Sequence, residues 1–259
     1  MFPIRDENPG LSRPVLTLIM IGVLVAVFFL LTPFNLDDSP EFALRHAAIG
    51  CEVTTNQLLT LEEYQTGECS TADGTPRFPQ KSVSLSVLVS LFLHAGPFHL
   101  LFNAWSLWLF GNNVEDAYGR GGYLLLYLIS GIVATYGFVA LNPDSTAPLV
   151  GASGAIAGVM GAYVVLYPRA KILSLAFFYL FRIPAIFFLT LWLGSQFLLA
   201  GGGSGIAWEA HVAGFLFGVV VTLLFRGPLN NRLRNLEEEA YEGSFGMTEE
   251  MGMNWEEPT

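Results

Sequence analysis

Between Val83 and Arg226, 144 consecutive residues carry only nine charged side chains: Glu115, Asp116, Arg120, Asp144, Arg169, Lys171, Arg182, Glu209 and Arg226. A water-facing surface of that length needs far more, since charged residues make up roughly 25% of soluble domains against 13% of this chain. The apolar stretches between the charges approach the roughly 17–25 residues that cross a bilayer as a helix. They predict six spans, at about Pro14–Thr32, Pro97–Asn113, Gly122–Leu141, Leu149–Tyr167, Ile183–Ala200 and Ile206–Phe225. Val83–Leu93 is too short to cross and is expected to lie at the interface or re-enter. Ile172–Phe181 is a similar half-length stretch ahead of Arg182 and Pro184, which blurs the start of the fifth span. With 53% apolar residues over 259 positions, a disordered chain, a charge-coated soluble enzyme and a coiled coil are excluded. A net charge of −10 with only 12 Lys+Arg argues against nucleic acid as a partner. Four histidines and two cysteines leave little material for a metal site, and no cofactor is expected.

The first span has basic flanks, Arg5 and Arg13, but its apolar run is long and no small-residue cleavage site follows it. It reads as a retained helix. Six spans place both tails on one side with the second and fourth loops, and that side holds nine of the Lys/Arg residues. The other side holds Arg45, Arg77 and Lys81, all in the first loop, so both termini are expected in the cytoplasm. The chain then divides into a cytoplasmic segment 1–13, a membrane domain 14–226 with a long outer loop 33–96, and an acidic tail 227–259. The tail is expected to be largely disordered after one short helix. Cys51 and Cys69 share the outer loop, where either a disulfide or two free thiols fits the sequence.

Polar groups at span depth are costly, and each is a candidate functional residue. Three clusters stand out. In His94-Ala-Gly-Pro-Phe-His99-Leu-Leu-Phe-Asn103, the last two polar residues share one helix face, with Pro97 suited to the first turn. Gly151-Ala152-Ser153-Gly154 opens the fourth span, and Gly154, Ala157, Gly158 and Gly161 continue as a stripe of small residues. In the sixth span Ala210, Gly214 and Gly218 form a complementary stripe beside His211. Taken singly, each cluster also reads as helix-packing polarity. The second, fourth and sixth spans all begin on the outer side, however. His99, Asn103, Ser153 and His211 therefore converge on one level, within about two turns of the surface at ~1.5 Å per residue.

The chemistry of that level is narrow. A serine needs an adjacent base to attack a carbonyl, and His211 is the available one. No Asp or Glu shares their depth, Glu209 lying nearer water, so a Ser153–His211 dyad is predicted rather than a triad. His99, Asn103 and the Ser153 N–H, at a helix start with unpaired donors, are the expected oxyanion donors. The loop Gly201-Gly202-Gly203-Ser204-Gly205 is expected to be a mobile cap.

These motifs, with Gly111-Asn112-Asn113-Val114-Glu115-Asp116 after the second span, resemble the rhomboid family of intramembrane serine proteases over roughly Ser90–Phe225. The resemblance implies an all-α bundle of six transmembrane helices that cleaves peptide bonds in or near substrate transmembrane helices, without metal or nucleotide. It implies Ser153 as nucleophile, His211 as base, and His99 with Asn103 as oxyanion donors. It also implies a multi-pass protein of a bacterial-type plasma membrane whose site opens outward. Two positions depart from the pattern. No Trp-Arg pair occurs in the first loop, and Ala157 stands four residues after the serine, where some members stack an aromatic on the histidine. The rival readings are a catalytically silent binding or escort factor, which loss of Ser153 or His211 would favour, and a small transporter, which would need deeper ionisable groups and repeats.

Overall fold

The computed structural model describes residues 2–36, 38–70, 74–199 and 206–250. Its elements run β1 (Phe2–Asp6), α1 (Val15–Leu31), α2 (Pro40–His46), β2 (Ala48–Ile49), α3 (Gly50–Thr55), α4 (Leu61–Thr66) and α5 (Val83–Ser90). They continue through α6 (Pro97–Leu141), β3 (Pro148–Leu149), α7 (Ser153–Leu166), β4 (Lys171–Ala176), β5 (Tyr179–Pro184), α8 (Ala185–Leu199), α9 (Trp208–Leu224) and α10 (Arg226–Glu250). The chain is mostly helical. Among the described residues only α6 is by itself long and apolar enough to cross a membrane, while α1, α7 and α8 are shorter apolar helices. A bend of 76° separates α9 from α10.

The expected second and third spans are two arms of α6, broken where Gly119 takes φ 66°, ψ 164°. That left-handed φ is one that glycine tolerates at little cost. At the center lies α7, buried continuously from Gly154 to Tyr163, as suits a helix apolar all round. Outward-facing Ile19, Phe29 and Leu30 on α1, Leu191 and Leu198 on α8, and Leu216 and Leu224 on α9 are exposed. Such surfaces suit hydrocarbon rather than water.

The break in α6 is anchored from outside. The Glu115 carboxylate, 3% exposed, accepts the Leu16 N–H at 2.9 Å, and the Thr17 N–H and hydroxyl at 2.8 Å each. These are unpaired donors of the first turn of α1, where a negative charge is also favoured by the helix dipole. Asp116 accepts the Leu11 N–H at 2.7 Å and the Ser12 hydroxyl. Replacing Glu115 by alanine is expected to destabilise the fold by about 3 kcal/mol, because buried donors lose a charged partner. Thermal unfolding in detergent measures it, and an unchanged midpoint would refute the anchor.

The all-helical expectation needs correction. Ile172–Phe181, read as a half-length apolar stretch, lies in a β-hairpin over Lys171–Pro184, and β1 joins it in an antiparallel sheet of order β1-β4-β5. Its β-branched and aromatic residues favour strand, and Pro184 ends β5 just before α8. Residues 2–6 are thereby held, and Asp6 accepts hydrogen bonds from Tyr163 at 2.6 Å and Asn113 at 2.7 Å. Burial pushes the Asp6 carboxyl above its ordinary value despite the bonds from Tyr163 and Asn8.

The first loop is folded. Cys51 and Cys69 are disulfide-bonded, beside a small core of Leu44, Ile49 and Leu59. Lys81 pairs with Glu52 at 2.5 Å, both buried. Burial lowers the Lys81 ammonium from its ordinary value, and Glu52 opposes that. After α5 the chain dips inward, for a Cβ on Gly131, midway along the second arm of α6, would lie 1.8 Å from Leu91. The short C-terminal helix expected before a disordered tail is instead α10, reaching Glu250. Buried Leu229 and Leu233 and a 3.0 Å bond from Arg232 to the Asp116 carbonyl seat its start. The Glu-rich run beyond is good helix former. The expected cap Gly201–Gly205 lies outside the described residues.

Candidate active site

Helix starts place the polar groups. Gly151, with φ +133°, cannot continue a helix, so α7 begins at Ser153 rather than at Leu149. The first-turn N–H groups have no side-chain cap. The turn is held from the first loop: the Gly151 N–H donates to the Ser90 carbonyl at 2.9 Å, and β2 pairs with β3 just ahead of it. Ser90 also receives the Ala48 N–H on its hydroxyl at 2.7 Å. Sequence alone gave no sign of these supports.

His211, on the first turn of α9, brings Nε2 to 2.7 Å from Ser153 Oγ. Its Nδ1 lies 2.7 Å from Gln196 Oε1 on α8, and the Trp192 ring lies 6.0 Å away centroid to centroid at 36°. Sequence reasoning passed over Gln196 and Trp192. The available signal was an amide alone in an apolar span, one turn after an aromatic.

His99 stands on the first turn of α6, and its Nδ1 accepts the Ala95 N–H at 3.4 Å. With Nδ1 accepting, the ring proton sits on Nε2. A Cβ built on Gly151 would lie 2.9 Å from His99 Nε2 and 3.4 Å from Ser153 Oγ. Glycine therefore leaves open the space that both atoms border. His94 packs edge-on against His99 at 5.2 Å. Asn103, one turn further along α6, is 6% exposed, and its Nδ2 has no partner. A buried amide donor left unpaired is costly, and a passing acceptor would satisfy it. Glu209 is turned to Asn142 at 3.1 Å and away from the histidine. Among the described residues no group of His, Cys, Asp and Glu could hold a metal.

A helical chain with a serine at the start of α7, a histidine in the first turn of α9 and a glycine seam between these helices narrows the class, and comparison with known proteins defines it. The Rhomboid domain family model matches residues 82–228. The chain belongs to the rhomboid family, whose members are integral membrane proteins. It is 43% identical over 89 residues to Rhomboid protease GluP of Bacillus subtilis (strain 168), covering 34% of this chain and 17% of that protein. It is 32% identical over 160 residues to Rhomboid protease AarA of Providencia stuartii, covering 53% and 54%. It is 30% identical over 148 residues to Rhomboid protein 1, mitochondrial, of Saccharomyces cerevisiae (strain ATCC 204508 / S288c), covering 52% and 40%. The chain thus spans about half or less of the length of these relatives.

Proposed function

We propose that this chain is an intramembrane serine endopeptidase that hydrolyses peptide bonds in or near the transmembrane helices of membrane-protein substrates. The observation that carries the reading is the 2.7 Å contact of Ser153 Oγ with His211 Nε2. In this reading six spans cross the membrane, α1, the two arms of α6, α7, α8 and α9, with both termini in the cytoplasm. The Lys/Arg bias supports that orientation, and it opens the site toward the outer face of a bacterial-type plasma membrane.

Ser153 Oγ attacks the scissile carbonyl carbon while its proton passes to His211 Nε2. The carbonyl oxygen becomes an oxyanion, received by the His99 Nε2–H, the Asn103 amide and the Ser153 N–H. Collapse breaks the C–N bond, and His211 gives its proton to the leaving nitrogen. Water, deprotonated by His211, then attacks the acyl-Ser153 ester, and the returning proton restores the hydroxyl.

The test is cleavage of a single-span substrate by the chain in liposomes, with and without a fluorophosphonate. Cleavage blocked in step with a covalent adduct on Ser153 is expected. Cleavage that persists with Ser153 fully labelled would refute the serine mechanism. Absence of both labelling and cleavage would favour a silent binding or escort factor.

A further inference from the structure

Beyond its contact with Ser153 on α7, the His211 ring is flanked by α8. The α7 position four residues after the serine, Ala157, has no ring to stack on the histidine, and two groups one turn apart on α8, Trp192 and Gln196, flank it. Trp192 packs in turn on Phe215, one turn beyond His211 on α9, at 6.2 Å.

The amide orientation follows from its other neighbours. Gln196 is 5% exposed, and its Nε2 lies 3.3 Å from the Trp192 carbonyl oxygen. A carbonyl only accepts, so the NH₂ end must face it. Reversing the amide would set two acceptors against each other in a buried place. Oε1 therefore faces His211, and the group opposite it must donate. That puts the imidazole proton on Nδ1 and leaves Nε2 with its lone pair toward the Ser153 hydroxyl. The two site histidines thus carry opposite tautomers: His99 holds its proton on Nε2, and His211 on Nδ1.

We propose that Gln196 is the positioning residue of the site. Its amide oxygen does for His211 what a carboxylate does in a triad, fixing tautomer and ring orientation without adding a charge. The proposal rests on the reading of Ser153 and His211 as nucleophile and base, which its test keeps separate. It also locates the holder on α8, a helix that carries neither catalytic group.

The decisive comparison uses wild type, Gln196→Leu, Gln196→Glu and Ser153→Ala in the same liposomes with the same single-span substrate. Gln196→Leu keeps the volume and removes the acceptor. It is expected to lower kcat about 10- to 100-fold, part of the roughly 10²–10⁴ that a positioned base supplies, with KM nearly unchanged. Gln196→Glu retains an oxygen toward Nδ1 and is expected to recover most of kcat. Nitrogen NMR of the His211 ring should show the proton on Nδ1 in wild type and a mixture of tautomers in Gln196→Leu. Wild-type kcat in Gln196→Leu, with Ser153→Ala inactive, overturns the role of Gln196 and leaves the protease reading standing. Full activity in Ser153→Ala overturns both. Should Gln196→Leu fail to fold, the wild-type spectrum still decides, because a proton on Nε2 of His211 refutes the assignment.

Discussion

Replacing Ser153 by alanine is expected to lower cleavage of a transmembrane substrate at least about 10⁴-fold, and adding His211→Ala is expected to cost almost nothing more. The reason is the shared proton. Ser153 Oγ and His211 Nε2 lie 2.7 Å apart, so one atom's attack requires the other's lone pair. Once the nucleophile is gone, the base has nothing to deprotonate except water. What remains is the oxyanion donors and substrate binding, which alone retain roughly 10³–10⁴ over the uncatalysed reaction in comparable serine enzymes. Gln196→Leu should follow the same logic: costly in the wild type, silent once His211 is absent. Initial rates in liposomes at saturating substrate measure all of these. Additive losses from Ser153→Ala and His211→Ala would mean that the two residues act separately, and the dyad would be abandoned.

The candidate site was legible because scarcity made it so. In a stretch with nine charges among 144 residues, His99, Asn103, Ser153 and His211 could not hide, and their places at helix starts follow from the spans. The serine–histidine contact and the Cys51–Cys69 pairing are both formed. Gln196 was harder to see. An uncharged amide among Leu, Phe and Ser is informative only once the rotation of α8 is known, and no span pattern fixes that rotation. Non-local pairing hid part of the sheet: β1 meets β4 some 170 positions later, although β4 and β5 pair locally as a hairpin. The gap between the second and third spans was readable, and the break at Gly119 falls inside it. What the span pattern did not give is the anchoring of that turn, where Glu115 and Asp116 grip the chain at the start of α1. The helix after Gly227 runs longer than the acidic composition suggested, and Leu229 and Leu233 give its start a seat.

The seam between α7 and α9 sets up the other large effect. A Cβ on Gly218 would lie 1.9 Å from the Gly158 carbonyl oxygen, and one on Gly214 would lie 2.1 Å from that of Gly154. From the facing side, a Cβ on Gly161 would lie 2.2 Å from the Phe215 carbonyl oxygen. All three obstructions are backbone, which cannot rotate aside as a side chain can. Even alanine must drive the helices apart by more than an ångström, given ordinary carbon contacts of roughly 3.5–4.0 Å. Close approach through small residues is a main source of helix association in a bilayer, where burial of apolar surface adds little. Gly218→Ala is therefore expected to cost more than the roughly 1–3 kcal/mol typical of overpacked cores, read as a fall in the thermal midpoint. Activity should fall with it, because Ser153 rides on α7 and His211 on α9, and their 2.7 Å contact has no slack. Gly22→Ala supplies the control: nothing lies within 4 Å of that Cβ, so better helix propensity should leave the midpoint equal or higher. Equal midpoints for Gly218→Ala and wild type would show that α7 and α9 stand further apart than the seam requires. Gly214 separates the two consequences, since it lies within a turn of His211. Its alanine variant should lose more activity per degree of lost stability than Gly218→Ala.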